Sequence, residues 1–427
     1  MVMGSSPLRI ISTIILIVVA LAWVVFLSNS ASRNNYAVSP TRRSIRAHTI
    51  TNQTISSTQS HHRSLFAGIQ LERTTYKLPN AIEHNLIDWN NIPTEEGTTK
   101  DLPIFWHVLK SGGTTIKLMY AQCYHLVEAC ETGELIDANQ NQQEQGQQPQ
   151  LPPILEGKPQ EDHPSPWEWM QQQQQQQQVQ VDANPDQQRR LETQQKNQLR
   201  VVLSEDGRKY VNVDTSTPEG ILKASQLGFA SSHLADVMFT PLLSESAELL
   251  LDANSLGRMF ALFRHPVERV ISIFYYLQGA TWEPTYNPEY AQWTIDDYAR
   301  SPYCESNWMV RSLTNKMTGP LSGDDILVAK EVLRRKCLVG LMEGMDESIT
   351  RFHSFFRFGD EDALKCSREQ FANKGAGTNS HSHPTLDQTS ETWAILAQKN
   401  TLDIRLYEYA QELFEEQGKW LKKQKLI

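Results

Sequence analysis

A strand, a short loop of small residues and a helix are predicted in direct succession by residues 102–125, LPIFWHVLKSGGTTIKLMYAQCYH. The first segment is a continuous apolar run, which is typical of a strand buried on both faces of a parallel sheet. The loop begins at Lys110, and Gly112 and Gly113 carry no Cβ atoms that would obstruct a ligand near the backbone. A helix that opens near Thr114 directs unpaired backbone N–H groups towards the same point. The stretch therefore predicts an anion-binding loop, with phosphate as the commonest ligand class.

Composition narrows the range of partners. The 427-residue chain has a formal net charge of -9 and a pI near 5.8. A protein that coats nucleic acid needs a concentrated basic surface, so no nucleic-acid partner is expected. The cysteines are too few for a disulfide scaffold and lack the spacing of a metal site, so no metal is expected either. Cys123 and Cys130 lie in one helical pattern and are expected to be core residues and not a bridged pair.

An uncharged apolar segment near the N-terminus predicts a membrane anchor. It covers residues 10–27, IISTIILIVVALAWVVFL, and follows a short tail at residues 1–9. A helix of this length spans about 27 Å, which is close to the hydrocarbon thickness of a bilayer. The alternative is a signal peptide cleaved near SNSAS, but the apolar core is longer than that of most signal peptides. We therefore predict one uncleaved N-terminal transmembrane helix.

Charge alone does not decide which side of the membrane carries the rest of the chain. Arg9 precedes the span, whereas several arginines lie within residues 33–46. Counting positive charges would place the C-terminal part in the cytosol, but this rule weakens for long translocated domains. A glycosylation sequon that begins at Asn52 would suit a lumenal stem.

Two polar regions divide the remainder of the chain. Residues 28–99 are rich in Ser, Thr, Asn and Arg and predict a stem or linker. The region at about residues 139–200 is rich in Gln, Pro and acidic residues, which cannot bury enough apolar surface to offset the entropy of ordering. We predict a folded domain over residues 100–418 that this disordered glutamine-rich insertion interrupts. The insertion is expected to be a loop expansion, with an interaction tract as the alternative.

Strand and helix patterns alternate in the predicted domain. Two short strands are expected on either side of a turn at Asp206, followed by a helix with Thr217 as its cap and Pro218 at its first position. The segment RMFALF at residues 258–263 predicts a buried strand that leads into a helix. Further helices are predicted by DDILVAKEVLRRK and by LAQKNTLDIRLYEYAQELFEEQ. This order indicates an α/β fold with a mainly parallel sheet.

A second strand and helix, RMFALFRHPVERVISIFYYL, also carry groups suited to a phosphate. Arg264 ends the strand, Pro266 takes the first helical position, and Ser272 follows one to two turns later. The Arg264 guanidinium and the Ser272 hydroxyl can converge on a second phosphate. The alternative is that Arg264 pairs locally and Ser272 packs as a small helix residue.

These two segments together resemble the sulfotransferases, in particular the membrane-anchored carbohydrate sulfotransferases of the Golgi. LKSGGTT is similar to their 5′-phosphosulfate loop, although Leu109 stands where that loop has proline, and RHPVERVISIFYY is similar to their 3′-phosphate motif. NWMVRSL and VGLMEGMDESITRF resemble the same family, so the likeness covers residues 102–356 in the family's order. It implies a P-loop-NTPase-like three-layer α/β domain with a central, mainly parallel sheet, in addition to the N-terminal transmembrane helix.

The resemblance also implies a reaction and a location. The donor would be 3′-phosphoadenosine 5′-phosphosulfate, the acceptor a hydroxyl of a glycan or glycoconjugate, and no metal would take part. The protein would be a single-pass type II protein of the Golgi membrane with a lumenal catalytic domain. The resemblance assigns the 3′-phosphate to Arg264 and Ser272, and a faint further match covers Lys374 and Gly375. It assigns the 5′-phosphosulfate to Lys110, Ser111, Gly112, Gly113, Thr114 and Thr115.

Two catalytic roles follow from the same resemblance. Lys110 would neutralise the charge that develops on the leaving phosphate oxygen. His233 is the candidate general base, because related enzymes place a catalytic histidine upstream of the second motif. His107, His125 and a nearby glutamate remain alternatives for the base.

Two other functions remain open at this point. An ATP-dependent kinase would use the loop for its nucleotide, but a Walker A sequence places its lysine after the glycines, whereas Lys110 comes before them. A catalytically inactive, membrane-tethered binding protein would keep the same fold. Acceptor contacts are open as well, and the candidates are Arg269, Arg311, Lys316, Trp282 and Tyr286.

Overall fold

The computed structural model covers most of the predicted folded domain. It describes residues 76–92, 101–146, 198–281, 283, 285–373 and 383–427, and for residues 140–146 and 372–373 it describes the backbone alone. The predicted tail, the predicted anchor and nearly all of the predicted insertion lie outside these ranges. Within them, no helix is both long and apolar enough to cross a membrane.

A seven-stranded sheet forms the centre of the described chain. Its strands are β1 (Leu102–Trp106), β2 (Val127–Ala129), β3 (Val201–Leu203), β4 (Lys209–Val211), β5 (Val237–Thr240), β6 (Gly257–Phe263) and β7 (Cys337–Leu341). They lie in the order β3-β4-β2-β5-β1-β6-β7. Only the pairing of β3 with β4 is antiparallel, across the turn predicted at Asp206. The prediction of an α/β fold with a mainly parallel sheet is therefore confirmed.

Helices connect most of these strands. They are α1 (Asn80–Asn85), α2 (Gly113–Gln122), α3 (Glu131–Gly146), α4 (Pro218–Gln226), α5 (Phe229–Ser232), α6 (Leu243–Leu249), α7 (Pro266–Leu277), α8 (Ile295–Arg300), α9 (Trp308–Thr314), α10 (Gly323–Lys336), α11 (Met345–Phe356), α12 (Glu361–Asn373), α13 (Glu391–Lys399) and α14 (Thr401–Lys423). As predicted, Thr217 caps α4, where its hydroxyl accepts from the Gly220 N–H, and Pro266 occupies the first position of α7.

Both faces of the sheet are buried. Side chains along a strand alternate in direction, so each strand contributes residues to the core on either side. In β6, Met259, Ala261 and Phe263 belong to one apolar cluster, whereas Phe260 and Leu262 belong to a second. All seven residues of β6 are buried. Two cores separated by one sheet are compatible with a three-layer α/β fold.

The folded part begins earlier than the boundary predicted at residue 100. Leu78, Ile82 and Leu86 are buried in the first core, and the Ile87 N–H donates to the carbonyl oxygen of Gly257. The Lys336 ammonium also donates to the Leu86 carbonyl oxygen. Part of the predicted stem therefore packs into the domain as α1 and the residues around it.

The single C-terminal helix predicted from its pattern is two helices, α13 and α14, which are interrupted at Asn400. This residue is fully buried, and its side-chain oxygen accepts from the Asn307 N–H at 2.9 Å. Three residues later, the Asp403 carboxylate accepts from the Met309 and Val310 N–H groups at the start of α9. Satisfying the N-terminus of another helix favours the interruption, because unpaired buried N–H groups are costly.

The prediction that Cys123 and Cys130 are core residues and not a bridged pair is confirmed, since both are buried in the second core. Cys123 and Cys130 do not bridge each other, and Cys130 is buried. Cys123 is bonded to Cys366, which lies 243 residues away in α12. The bridge joins the end of α2 to α12, a contact between distant segments that the spacing within one helix does not indicate.

Candidate functional site

The two phosphate-type segments lie side by side at one edge of the sheet. β1 and β6 are parallel neighbours, with Phe105 opposite Phe260. The segments that follow these strands therefore emerge at the same carboxyl-terminal edge. The Arg264 Nη1 atom lies 3.4 Å from the carbonyl oxygen of Lys110, to which it donates. The structure thus brings together two motifs that are separated by more than a hundred residues.

The first loop has the backbone form of an anion-binding turn. Lys110 and Gly112 adopt left-handed conformations, with φ of 63° and 86°. The Ser111 N–H donates back to the Val108 carbonyl oxygen, which tightens the turn. α2 then starts at Gly113, one residue before the predicted start, and the first N–H groups of a helix lack acceptors within it. Left-handed residues before a helix N-terminus are typical of backbone sites for phosphate.

Both glycines are required by their surroundings. A Cβ atom at Gly113 would lie 2.2 Å from Cδ2 and Nε2 of His107, closer than non-bonded atoms approach. At Gly112 the positive φ already disfavours other residues, and a Cβ would lie 3.1 Å from Cε of Met345. The loop therefore packs directly against the end of β1 and the start of α11.

Ser111 places a buried and unpaired hydroxyl in the loop. Its side chain is 1% exposed, and its Oγ atom has no hydrogen-bond partner among the described residues. Leaving a buried hydroxyl unpaired costs about 1–3 kcal/mol. A phosphate oxygen in the loop would satisfy this donor. Thr115 is also buried, and the N–H groups of Thr115 and Ile116 are already used by the Gly112 carbonyl oxygen.

One face of α7 runs along the loop. Glu268, Ser272 and Tyr276 recur every four residues, so they share a helix face. At its start, Glu268 accepts from Nε of Arg264 at 3.3 Å. At its end, the Lys110 ammonium lies 4.4 Å from the centre of the Tyr276 ring. Ser272, which is buried, lies on the face between these two contacts.

The electrostatics of the loop suit an anion. Partial burial lowers the pKa of Lys110, and the nearby Arg264 guanidinium lowers it further, while the Glu283 carboxylate opposes both effects. Two cationic side chains that repel each other at one loop are stabilised when a phosphate binds between them. Arg264 remains 20% exposed and therefore accessible to a ligand.

A carboxylate that the sequence analysis did not single out lies at the same edge. Glu131 is the first residue of α3, two positions after the end of β2, and both of its oxygens accept from the Lys117 ammonium at 2.6 Å. Burial alone would raise the pKa of Glu131, but the Lys117 charge holds it below its usual value. The Glu131 side chain is 43% exposed. It is therefore an ionised carboxylate that is paired with Lys117 and partly exposed.

His107 and Glu128 surround this ion pair. Burial lowers the pKa of His107 to about 3, with a further contribution from Lys117, so the imidazole is neutral at physiological pH. Glu128 is 1% exposed, and neither of its oxygens has a hydrogen-bond partner in the described chain. Burial raises its pKa well above the usual value, so this carboxyl carries a proton.

The predicted general base, His233, is not brought to the loop. It follows α5 and precedes β5, and it lines a cavity with Leu102 and Pro103 at the beginning of β1. The loop lies beyond the other end of β1, and a strand of five residues spans roughly 16 Å. His125 precedes β2 and lies towards the same amino-terminal edge. Neither histidine is placed to act at the loop.

The basic residues proposed for acceptor contacts have other partners. Arg269 is fully buried and pairs with Glu305, with Asp403 at 3.9 Å. Arg311 donates to backbone carbonyl oxygens, and Lys316 pairs with Asp325. Other predicted residues lie outside the described part of the chain: Trp282, Lys374 and Gly375.

The fold and this edge define a mixed α/β protein with two adjoining polar loops beside a mostly parallel sheet. No model of a known protein family matches the chain, and no curated protein sequence matches it either. In the part of the chain that the structure describes, no three His, Cys, Asp or Glu side chains are grouped so as to hold a metal ion.

Proposed function

We propose that this protein is a sulfotransferase that moves a sulfuryl group from 3′-phosphoadenosine 5′-phosphosulfate to a hydroxyl of a carbohydrate acceptor. The observation that carries the proposal is the junction of the two loops through Arg264 and the Lys110 carbonyl oxygen. A donor with phosphates at both ends of its ribose needs two adjoining anion sites. A donor such as ATP needs only one continuous site.

The residues present fit this donor. Residues 110–115 would bind the 5′-phosphosulfate through the backbone, the Ser111 hydroxyl and the Lys110 ammonium, and the unpaired Ser111 Oγ supports this assignment. Arg264 and Ser272 would bind the 3′-phosphate from the end of β6 and the inner face of α7. We infer on this basis that the three-layer fold is of the P-loop-NTPase-like kind.

The chain's own groups also supply the chemistry. The bound donor supplies an activated sulfuryl group on its 5′-phosphate. Lys110 neutralises the negative charge that develops on the leaving phosphate oxygen during transfer. Glu131 takes the role first assigned to His233 and accepts the proton of the acceptor hydroxyl, because it is an ionised and partly exposed carboxylate that lies after β2 at this edge of the sheet.

The disulfide supports the expected location. Disulfides persist in oxidising compartments and are rare in the cytosol. The Cys123–Cys366 bridge therefore favours a lumenal domain, and we propose a type II protein of the Golgi membrane, anchored by the predicted helix at residues 10–27. A glycan acceptor suits this location.

Nucleotide binding tests the proposal. The full-length chain in mild detergent is titrated by calorimetry with 3′-phosphoadenosine 5′-phosphate, adenosine 5′-phosphate and ATP. We expect the first nucleotide to bind at least tenfold more tightly than the second, since charge-assisted hydrogen bonds contribute about 1.5–3 kcal/mol. Arg264→Ala should remove this preference. Lys110→Ala should weaken the binding of both 3′-phosphoadenosine 5′-phosphate and adenosine 5′-phosphate.

A matched variant controls for loss of positive charge. Arg334 is exposed at the end of α10, which leads into the amino-terminal end of β7. Arg334→Ala should leave all three affinities unchanged. Equal affinity for the first two nucleotides would refute the proposal, and tighter binding of ATP would favour the kinase alternative.

A further inference from the structure

The Lys110 side chain does not extend freely from its loop. It runs along α7 so that Nζ lies over the ring of Tyr276, 4.4 Å from the ring centre. The Tyr276 hydroxyl in turn donates to Oε1 of Glu283 at 2.6 Å. Lys110, Tyr276 and Glu283 are thus joined by two successive contacts, which lead from the loop to the segment after α7.

A ring contact leaves the ammonium available to a ligand. The face of an aromatic ring attracts a cation through its quadrupole, a contact worth about 0.5–2 kcal/mol. It accepts no conventional hydrogen bond, so the three N–H donors of a lysine remain available to oxygen atoms. A carboxylate in the same place would compete directly with a phosphate for these donors. Tyr276 separates Lys110 from the Glu283 carboxylate in this way.

Holding the side chain has an entropic benefit. A lysine side chain carries about 2 kcal/mol of rotamer entropy, which is lost when its ammonium is fixed by a ligand. Contact with the ring restricts the side chain before the ligand arrives, and the bond to Glu283 fixes the ring. Ligand binding then costs less conformational freedom.

We propose that Tyr276 is a positioning residue, which, with Glu283 behind it, holds the Lys110 ammonium beside the loop and ready for the 5′-phosphosulfate of the donor. The inference rests on the proposed function. It adds a residue that acts through Lys110 and touches no reacting atom. Tyr276 should therefore affect nucleotide affinity only while Lys110 is present.

A double-mutant cycle tests this dependence. Affinity for 3′-phosphoadenosine 5′-phosphate is measured in the full-length chain for Tyr276→Leu and Tyr276→Phe, each with and without Lys110→Ala. We expect Tyr276→Leu to weaken binding about three- to tenfold and Tyr276→Phe to retain most of the affinity. In the Lys110→Ala background, neither substitution should change the affinity. Tyr303→Leu, which removes a ring that is 62% exposed, is the matched control.

A second measurement needs no nucleotide. Reductive methylation of Lys110, followed by mass spectrometry, reports how well the ring covers its amine. Tyr276→Leu should raise the methylation rate severalfold, whereas Tyr276→Phe should not. An unchanged rate, or an equal loss of affinity in the Lys110→Ala background, would overturn the inference. Absence of nucleotide binding in the unaltered protein would instead refute the proposed function, and the methylation result would still decide whether the ring holds Lys110.

Discussion

Arg264 donates from Nη1 to the carbonyl oxygen of Lys110, and this bond connects two loops that are 154 residues apart in the sequence. It forms because β1 and β6 are adjacent and parallel, so the residues that follow both strands meet at one edge of the sheet. The bond uses the backbone of Lys110 and leaves its ammonium for other contacts. One guanidinium thereby helps to set the position of the loop while remaining partly exposed.

The close approach of Gly113 to His107 predicts a large effect of a small substitution. Gly113→Ala places a methyl group 2.2 Å from the His107 ring, so either the ring or the loop must shift. We expect at least a tenfold loss of affinity for 3′-phosphoadenosine 5′-phosphate in calorimetry. Gly279→Ala, where a Cβ meets nothing within 4 Å, is the control. Unaltered affinity in Gly113→Ala would show that the loop does not bind the nucleotide.

The position of Glu131 predicts which residue removes the acceptor proton. With an acceptor found by a glycan screen, Glu131→Gln should lower kcat by about 10²- to 10⁴-fold, the usual contribution of a general base. Donor affinity should change little. Glu134→Gln, one turn further along α3 and paired with Lys223, should retain activity, as should His233→Ala. Loss of activity in His233→Ala alone would reverse this assignment.

The buried carboxyl of Glu128 predicts a pH-dependent stability. Its pKa is raised in the folded chain by burial, against the attraction of Lys117 and Arg208, whereas the unfolded chain ionises it near pH 4.5. Its contribution to stability is therefore complete below about pH 4.5 and is lost as the pH rises towards the folded pKa. Glu128→Gln should remove this loss.

Calorimetric melting at several pH values measures the effect. The Tm of Glu128→Gln should exceed that of the unaltered protein by a margin that increases from pH 5 to pH 8. Each kcal/mol of restored stability corresponds to about 2–4 °C. Glu248→Gln, at an exposed position of α6, should follow the unaltered protein at every pH. A constant difference across the range would contradict the buried, protonated state.

The Cys123–Cys366 bridge predicts sensitivity to reduction. It closes a loop of 243 residues and holds the end of α2, the helix that starts at the anion loop. Replacing both cysteines by serine should lower the free energy of unfolding by about 2–4 kcal/mol. Reductant should lower the Tm of the unaltered protein and leave that of the double variant unchanged. An effect of reductant on the double variant would point to another target.

The sequence by itself determined the local elements. Apolar runs, Pro266 and the Thr217 cap act within a few residues, so the strands β1, β3, β4 and β6 and the starts of α4 and α7 were predicted correctly. The role of the loop glycines was predicted for the same reason, since a glycine affects only the backbone close to it. The short strand β2 was missed because three residues, one of them the buried Glu128, show no clear period.

Only the tertiary structure decided which of these elements meet. The order of the strands placed Arg264 beside Lys110, and it placed His233 at the opposite edge of the sheet. It also brought Glu131 to Lys117 of α2 and Cys123 to Cys366. The physical reason is that pairing between distant strands depends on the summed burial of many side chains and on closing long loops. No short stretch of sequence carries that information.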